Sequence, residues 1–234
     1  MKKLGLIFIL TISLSGCLAS LPGKQGTRID EVPMYGGMDR SQYPTLKAGD
    51  EKFISDVSAQ FGSRESASIV WVDQGYKFYH QDQLGMAMRR FNQAWLLNPN
   101  NAEVYAGFGA VLMDQGKSCE AMQMMEKSLT LSPPEYQGIY ADAARIVTLC
   151  AVSDKDLTSD GRTRLLARSE ELYKKAEKVE INKKYVYDSW AMSRYLLGRY
   201  DDAWSMLAKA RKIGGETPKS FLDLLQAKMP KPTQ

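Results

Sequence analysis

Between residues 68 and 135 one spacing of small and bulky side chains occurs twice, 34 residues apart. Trp71, Gly75, Phe78, Ala87, Phe91, Ala94 and Pro99 are followed by Tyr105, Gly109, Leu112, Ala121, Met125, Ser128 and Pro133. No insertion separates the two copies. A period of that length marks a supersecondary unit that cannot bury its apolar face alone and must stack on a neighbour. The small residues at 75 and 87 let two helices cross closely, and the bulky residue at 91 fills the space between them. A small residue at 94 admits the next unit, and proline at 99 ends the second helix. The glycines and aromatics are therefore packing residues rather than a cofactor-binding box.

The spacing resembles the tetratricopeptide repeat. That resemblance implies an all-α fold, a helix-turn-helix solenoid of about four repeats. The first two occupy 68–101 and 102–135. A third, 136–183, has Ala143 at the close crossing and a polar insertion at 153–161. Its second helix resumes near Arg162 and packs through Leu166, Ser169, Tyr173 and Ala176. The insertion is either a binding loop or a tolerated surface insertion, the latter being the simpler reading. The fourth unit, 184–217, carries a usual-looking turn at Gly198-Arg199-Tyr200-Asp201-Asp202-Ala203, but Arg194 stands where an apolar residue is expected. Residues 218–234 form a capping helix and tail, opened by Pro218 and apolar at Phe221, Leu222, Leu224 and Leu225.

Ahead of the repeats the chain reads as an address and a tether. Lys2 and Lys3 precede an apolar run from Leu4 to Leu14, too short to span a bilayer as a stable helix. Leu14-Ser15-Gly16-Cys17 resembles the lipobox of bacterial lipoproteins. The resemblance implies a signal peptide at 1–16, cleavage before Cys17 and acylation of that cysteine; an ordinary secretory signal with an incidental Cys17 is the alternative. Leu18 is not the aspartate that commonly retains such proteins at the inner membrane. By the same resemblance, the destination is the periplasmic face of the outer membrane, with the protein lipid-anchored there. Residues 17–48 are punctuated by glycine and proline and read as a flexible linker spanning about 30 Å. Within it Val32–Met38 is more apolar than a tether requires, and docks on the folded domain, docks on a partner or is an ordinary loop, the last being the simpler reading. A helix at 49–66, capped by Asp50 and reaching Phe61, would present Phe53, Ile54, Val57 and Phe61 on one face.

The whole chain also resembles a group of bacterial tetratricopeptide lipoproteins that carry a phrase like Arg89-Arg90-Phe91-Asn92-Gln93-Ala94-Trp95-Leu96-Leu97. That likeness speaks to architecture more than to function.

Composition narrows the chemistry. The formal charge of +4 falls to +2 once Lys2 and Lys3 are removed, which predicts no nucleic-acid footprint. A single histidine, His80, excludes any site built from two. Gly116-Lys117-Ser118 resembles the end of a phosphate-binding loop, but Val111 occupies the position of its first glycine and no strand precedes it. No serine, cysteine or carboxylate arrangement marks an enzyme, so we assign no catalytic residue, metal or cofactor. Cys119 begins the second helix of one repeat and Cys150 ends the first helix of the next. In an antiparallel stack those ends lie side by side, giving either two buried thiols or a disulfide. The disulfide suits an oxidising compartment and would contribute on the order of 3 kcal/mol.

In tetratricopeptide repeats the first helices line a concave groove. Carrying the family's positions over names Asp73, Tyr76 and Tyr79, with Val72 and His80, in the first repeat. Met113 follows in the second, with Glu103, Ala106, Ala110 and Asp114. The third supplies Tyr140 with Gln137, Ala144 and Val147, and the fourth Tyr185, Asp188, Met192 and Tyr195. The surface is aromatic and methionine-rich with a few acids, suited to a peptide or partner helix. Positions of the chaperone-type carboxylate clamp hold Val72, Tyr76, Gly107, Gln137 and Ala141, so a C-terminal carboxylate is not the expected ligand. The resulting expectation is a non-enzymatic adaptor or scaffold that binds an envelope protein or peptide segment. An assembly factor for a pilus or secretion system and a regulator of a peptidoglycan enzyme are the alternatives. The oligomeric state is left open.

Overall fold

The computed structural model describes residues 28–134 and 138–232; the expectations for the signal peptide, Cys17, Leu18 and Gln137 lie outside them. Among the described residues the regular structure is helical throughout. The α-helices are α1 (Pro44–Phe61), α2 (Arg64–Tyr79), α3 (Leu84–Leu97), α4 (Ala102–Asp114) and α5 (Ser118–Thr130). They continue as α6 (Ile139–Ser153), α7 (Ser159–Val179), α8 (Lys183–Leu196), α9 (Tyr200–Lys212) and α10 (Lys219–Lys228). Helices α2–α3, α4–α5, α6–α7 and α8–α9 pack as four successive pairs. No helix among the described residues is long and apolar enough to cross a membrane.

Local chemistry sets the helix ends. Ser63, Asn101, Thr158 and Asn182 accept hydrogen bonds from first-turn amides of α2, α4, α7 and α8. Arg64 closes the opposite end of its pair, donating to the carbonyls of Leu97 and Leu96 at 2.9 Å each. The turn within three of the four pairs carries one left-handed residue. Gly116 (φ 76°) and Gly198 (φ 71°) supply it in two pairs, and Asp82 (φ 58°) takes the same place between α2 and α3.

The core is a row of large side chains seated against small ones. Phe91 of α3 is fully buried, and a Cβ added at Gly75 of α2 or Gly107 of α4 would lie 2.4 Å from its ring. Met125 of α5 sits against Gly109 in the same way, at 2.9 Å. In the third pair the filler is Tyr173. Its ring stacks on Trp190 at 5.0 Å and its hydroxyl bonds the Ser189 carbonyl (2.9 Å) and the Ser193 hydroxyl (2.7 Å). Arg194, the polar departure in the fourth unit, is balanced by Glu170 of α7. Cys119 and Cys150 form a disulfide with Cα atoms 4.7 Å apart, bridging 31 residues between α5 and α6. Chain-entropy reasoning gives such a loop about 3–4 kcal/mol.

Three sequence expectations change. The described part of the 17–48 linker is not a free tether. Residues 28–43 form a strap of short 3-10 turns, of which Ile29–Glu31 and Pro33–Gly37 lie on α3 and Arg40–Gln42 packs on α1. Asn92 is wholly buried beneath it, donating to the carbonyls of Asp30 and Val32 at 2.9 Å and accepting from the Tyr35 amide at 3.3 Å. Arg89 pairs with Asp30 and Glu31. Tyr35 is 6% exposed with the Arg40 guanidinium 4.1 Å from its ring centre. Met34 and Tyr35 hold φ of 50° and 53°, a left-handed conformation costing about 1–2 kcal/mol per residue that this burial offsets. The first helix then starts at Pro44, earlier than expected. Asp50 is not its cap but a mid-helix partner of Arg40, bonded at 2.6 Å through both oxygens.

The insertion at 153–161 lies only partly in the turn, which is longer than those of the other three pairs. Only 154–158 separate α6 from α7, and the remaining length extends α7 to 21 residues. Helix α10 does act as a cap, burying Phe221 and Leu225 against Ala203, Trp204 and Leu207.

Phe91→Ala should cost about 3–5 kcal/mol in chemical denaturation, since the ring fills space shared by two helix pairs. Asn92→Ala should release the strap without unfolding the stack. Hydrogen exchange at the Tyr35 amide is expected to quicken at least about tenfold while the pairs melt as before.

Candidate functional site

The first helices of successive pairs, α2, α4 and α6, with the start of α8, enclose a concave cavity of about 390 Å³. Helix α2 contributes Val72, Asp73, Tyr76, Tyr79 and His80, and α4 contributes Glu103, Ala106, Ala110 and Met113. Phe91 reaches the site from behind: its ring meets Tyr76 edge-on at 5.2 Å, so the packing of the pairs positions a groove aromatic. Tyr76 in turn stacks on His80 at 6.3 Å and meets Tyr79 edge-on at 6.4 Å.

Of the residues expected from sequence, Asp73, Tyr76, Tyr79, Met113 and Tyr185 come together here, and Tyr140, Asp188, Met192 and Tyr195 do not. Tyr140 faces Lys175 of α7, whose ammonium lies 5.4 Å from its ring centre. Met192 and Tyr195 are taken by the cap, Tyr195 meeting Phe221 edge-on at 5.8 Å. Asp188 is occupied by Lys184 at 2.6 Å.

In place of Tyr140, Ala144 and Val147, α6 presents Ile139, Asp142, Arg145 and Ile146. Ile139, Asp142 and Ile146 follow Glu103, Ala106 and Ala110 by 36 residues rather than 34. The strict repeat length was therefore the wrong ruler for this helix. The sequence difference at this point is Pro134, which follows the in-register Pro133 where the preceding unit has Asn100. Met125 of α5 also reaches the cavity floor.

Asp142 is the best-connected charge in the site. It accepts from Arg145 at 3.0 Å and from the hydroxyl of Tyr185, tying α6 to α8. Burial pushes the phenols of Tyr76, Tyr79 and Tyr185 well above the ordinary 10.0. Asp142 adds to this at Tyr76 and Tyr185, and a hydrogen bond with Asp114 does so at Tyr79. All three therefore stay neutral hydroxyls throughout the physiological range. Together they offer aromatic faces, hydroxyl donors and carboxylate acceptors on one wall.

The position of α6 depends on a distant carboxylate. Glu180, 1% exposed, accepts from the amides of Tyr140 (2.7 Å) and Ala141 (3.1 Å) and so caps α6 from beyond the end of α7. Burial raises its pKa above the ordinary 4.5, with Asp142 adding to the rise; the two amides and Lys183 oppose it. The folded state thus holds this proton more tightly than the unfolded chain. Its contribution to stability is greatest in acid and falls as pH rises past 4.5 through the raised value. Glu180→Gln, which keeps an acceptor but cannot ionise, should gain stability relative to the wild type between pH 4 and 7 in thermal melts. Glu180→Ala should lose about 1 kcal/mol across that range, because the cap itself is gone.

A scan against models of known protein families and a search of curated proteins returned no match to this chain.

Proposed function

We propose that this protein is a tetratricopeptide-type adaptor, anchored through Cys17 to the periplasmic face of the outer membrane, that holds an envelope protein by a segment laid in the α2–α4–α6 groove. The observation that carries the reading is the cavity itself. It is concave, aromatic and assembled from the first helices of consecutive pairs, as the repeat resemblance requires of a partner-binding surface. Its side chains suit holding rather than transforming: phenols that stay protonated, two methionines, and an acid already engaged by an arginine. The disulfide between α5 and α6 accords with an oxidising compartment.

With the strap bound to α3, ten residues separate Cys17 from Arg28. That length reaches about 40 Å at full extension, which holds an anchored domain close to the bilayer.

In-cell crosslinking from a photoreactive residue at His80, on the exposed rim of the groove, tests this function. One dominant envelope adduct is expected from His80 and none from Leu224, an exposed position on α10. Adducts from Leu224 alone would refute the groove as the working surface. Cys17→Ser should release the protein from the membrane fraction.

A further inference from the structure

The groove carries a charge imbalance that its own contacts do not resolve. Three carboxylates line it, Asp73, Glu103 and Asp142, against one guanidinium, Arg145, in a chain whose formal charge is +4. Asp142 and Arg145 hold each other. Among the described residues, neither Asp73 nor Glu103 has a side-chain hydrogen bond or ion pair. Asp73 is exposed at the rim and Glu103 is half-buried at the start of α4. Beside them stand the rings of Tyr76 and Tyr79 and the thioether of Met113. Unpaired carboxylates next to π-faces and apolar surface attract a cation on an aliphatic stem. The stem lies on the rings and methionine, and the charge meets the acids and the negative ring faces. About 390 Å³ holds two or three side chains, enough for the centre of an extended segment.

We infer that the groove selects a partner segment presenting a lysine or arginine, with Asp73 and Glu103 as the groups that read its charge. This rests on the groove being the binding surface, as proposed above. Electrostatic complementarity of this kind sets specificity and association rate more than total affinity. An acidic segment would meet like charge, and an uncharged one would leave both carboxylates without a partner on binding.

The test uses the full folded chain, immobilised, and four pools of acetylated, amidated nonapeptides. The flanks are randomised and the central residue is fixed as lysine, arginine, glutamate or norleucine. Lysine and arginine pools should be retained about tenfold over the glutamate pool and released as salt rises. In the Asp73→Asn/Glu103→Gln variant that preference should fall to within about twofold, through loss of lysine and arginine retention. Neither side chain makes a hydrogen bond or ion pair among the described residues, so the variant is expected to stay folded, and its melt is recorded beside the binding. Equal retention of lysine and glutamate pools, or a preference that survives the double substitution, would overturn the charge assignment. If pools are retained but do not protect His80 from photocrosslinking, or no pool is retained, the groove itself fails and both readings fall. An acidic or apolar pool that wins while protecting His80 would sink only the selection for a cation.

Discussion

The seating of Phe91 between Gly75 and Gly107 is the contact on which the remainder of the molecule hangs. A β-carbon at either glycine would stand 2.4 Å from the ring, so α2 and α4 approach α3 only because both positions lack one. That approach does two things at once. It joins the first pair to the second through a fully buried aromatic, and it sets Tyr76 edge-on at 5.2 Å on the groove side. Removing the ring would open a cavity in the core and loosen the wall of the candidate site together.

The residues around Phe91 each serve a different neighbour. Arg89 pairs with the acids of the strap, and Asn92 binds its backbone at three points. Gln93 accepts from the Trp71 indole at 2.9 Å and from Arg90 at 2.7 Å, while the Ala94 carbonyl accepts from Ser68 at 3.0 Å. One helix thus faces core, strap and preceding helix along successive sides. The helical turn of about 100° per residue allows a short run of sequence to do so. Asn92 suits the strap because a buried amide both donates and accepts, and an irregular segment offers carbonyls and amides without partners of their own.

Further along, the stack departs from strict repetition, and the departures shape the groove. Helix α6 starts late behind two prolines and takes its N-terminal cap from Glu180, forty residues away. Its inward face accordingly carries Asp142 and Arg145, which give the site its only internal ion pair among the described residues. At the far end α10 covers Met192 and Tyr195, so the groove stops at Tyr185. A terminal pair must bury its apolar face somehow, and here a capping helix does it in place of a ligand.

Sequence by itself determined the helical pairing, the close crossings at Gly75 and Gly109, the turns, the capping helix and the positions of Asp73, Tyr76, Tyr79, Met113 and Tyr185. The pairing, crossings and turns follow from spacing within one unit or between adjacent units, where helix periodicity and residue size are local; the capping helix follows from its own proline and apolar pattern, and the groove positions from the repeat resemblance. Tertiary structure alone decided the rest. The strap reads as loop because its glycines and prolines forbid a long helix, and nothing local reveals that Asn92 will satisfy its backbone. Arg40 and Asp50, ten residues apart, likewise find each other only across a chain reversal. Tyr140 carried the right side chain at the right count, but a two-residue lengthening before α6 turned it toward Lys175 and brought Asp142 inward. On a helix, a shift of two residues rotates a side chain by about 200°, so small changes in length move chemistry from one face to the other while leaving the fold intact.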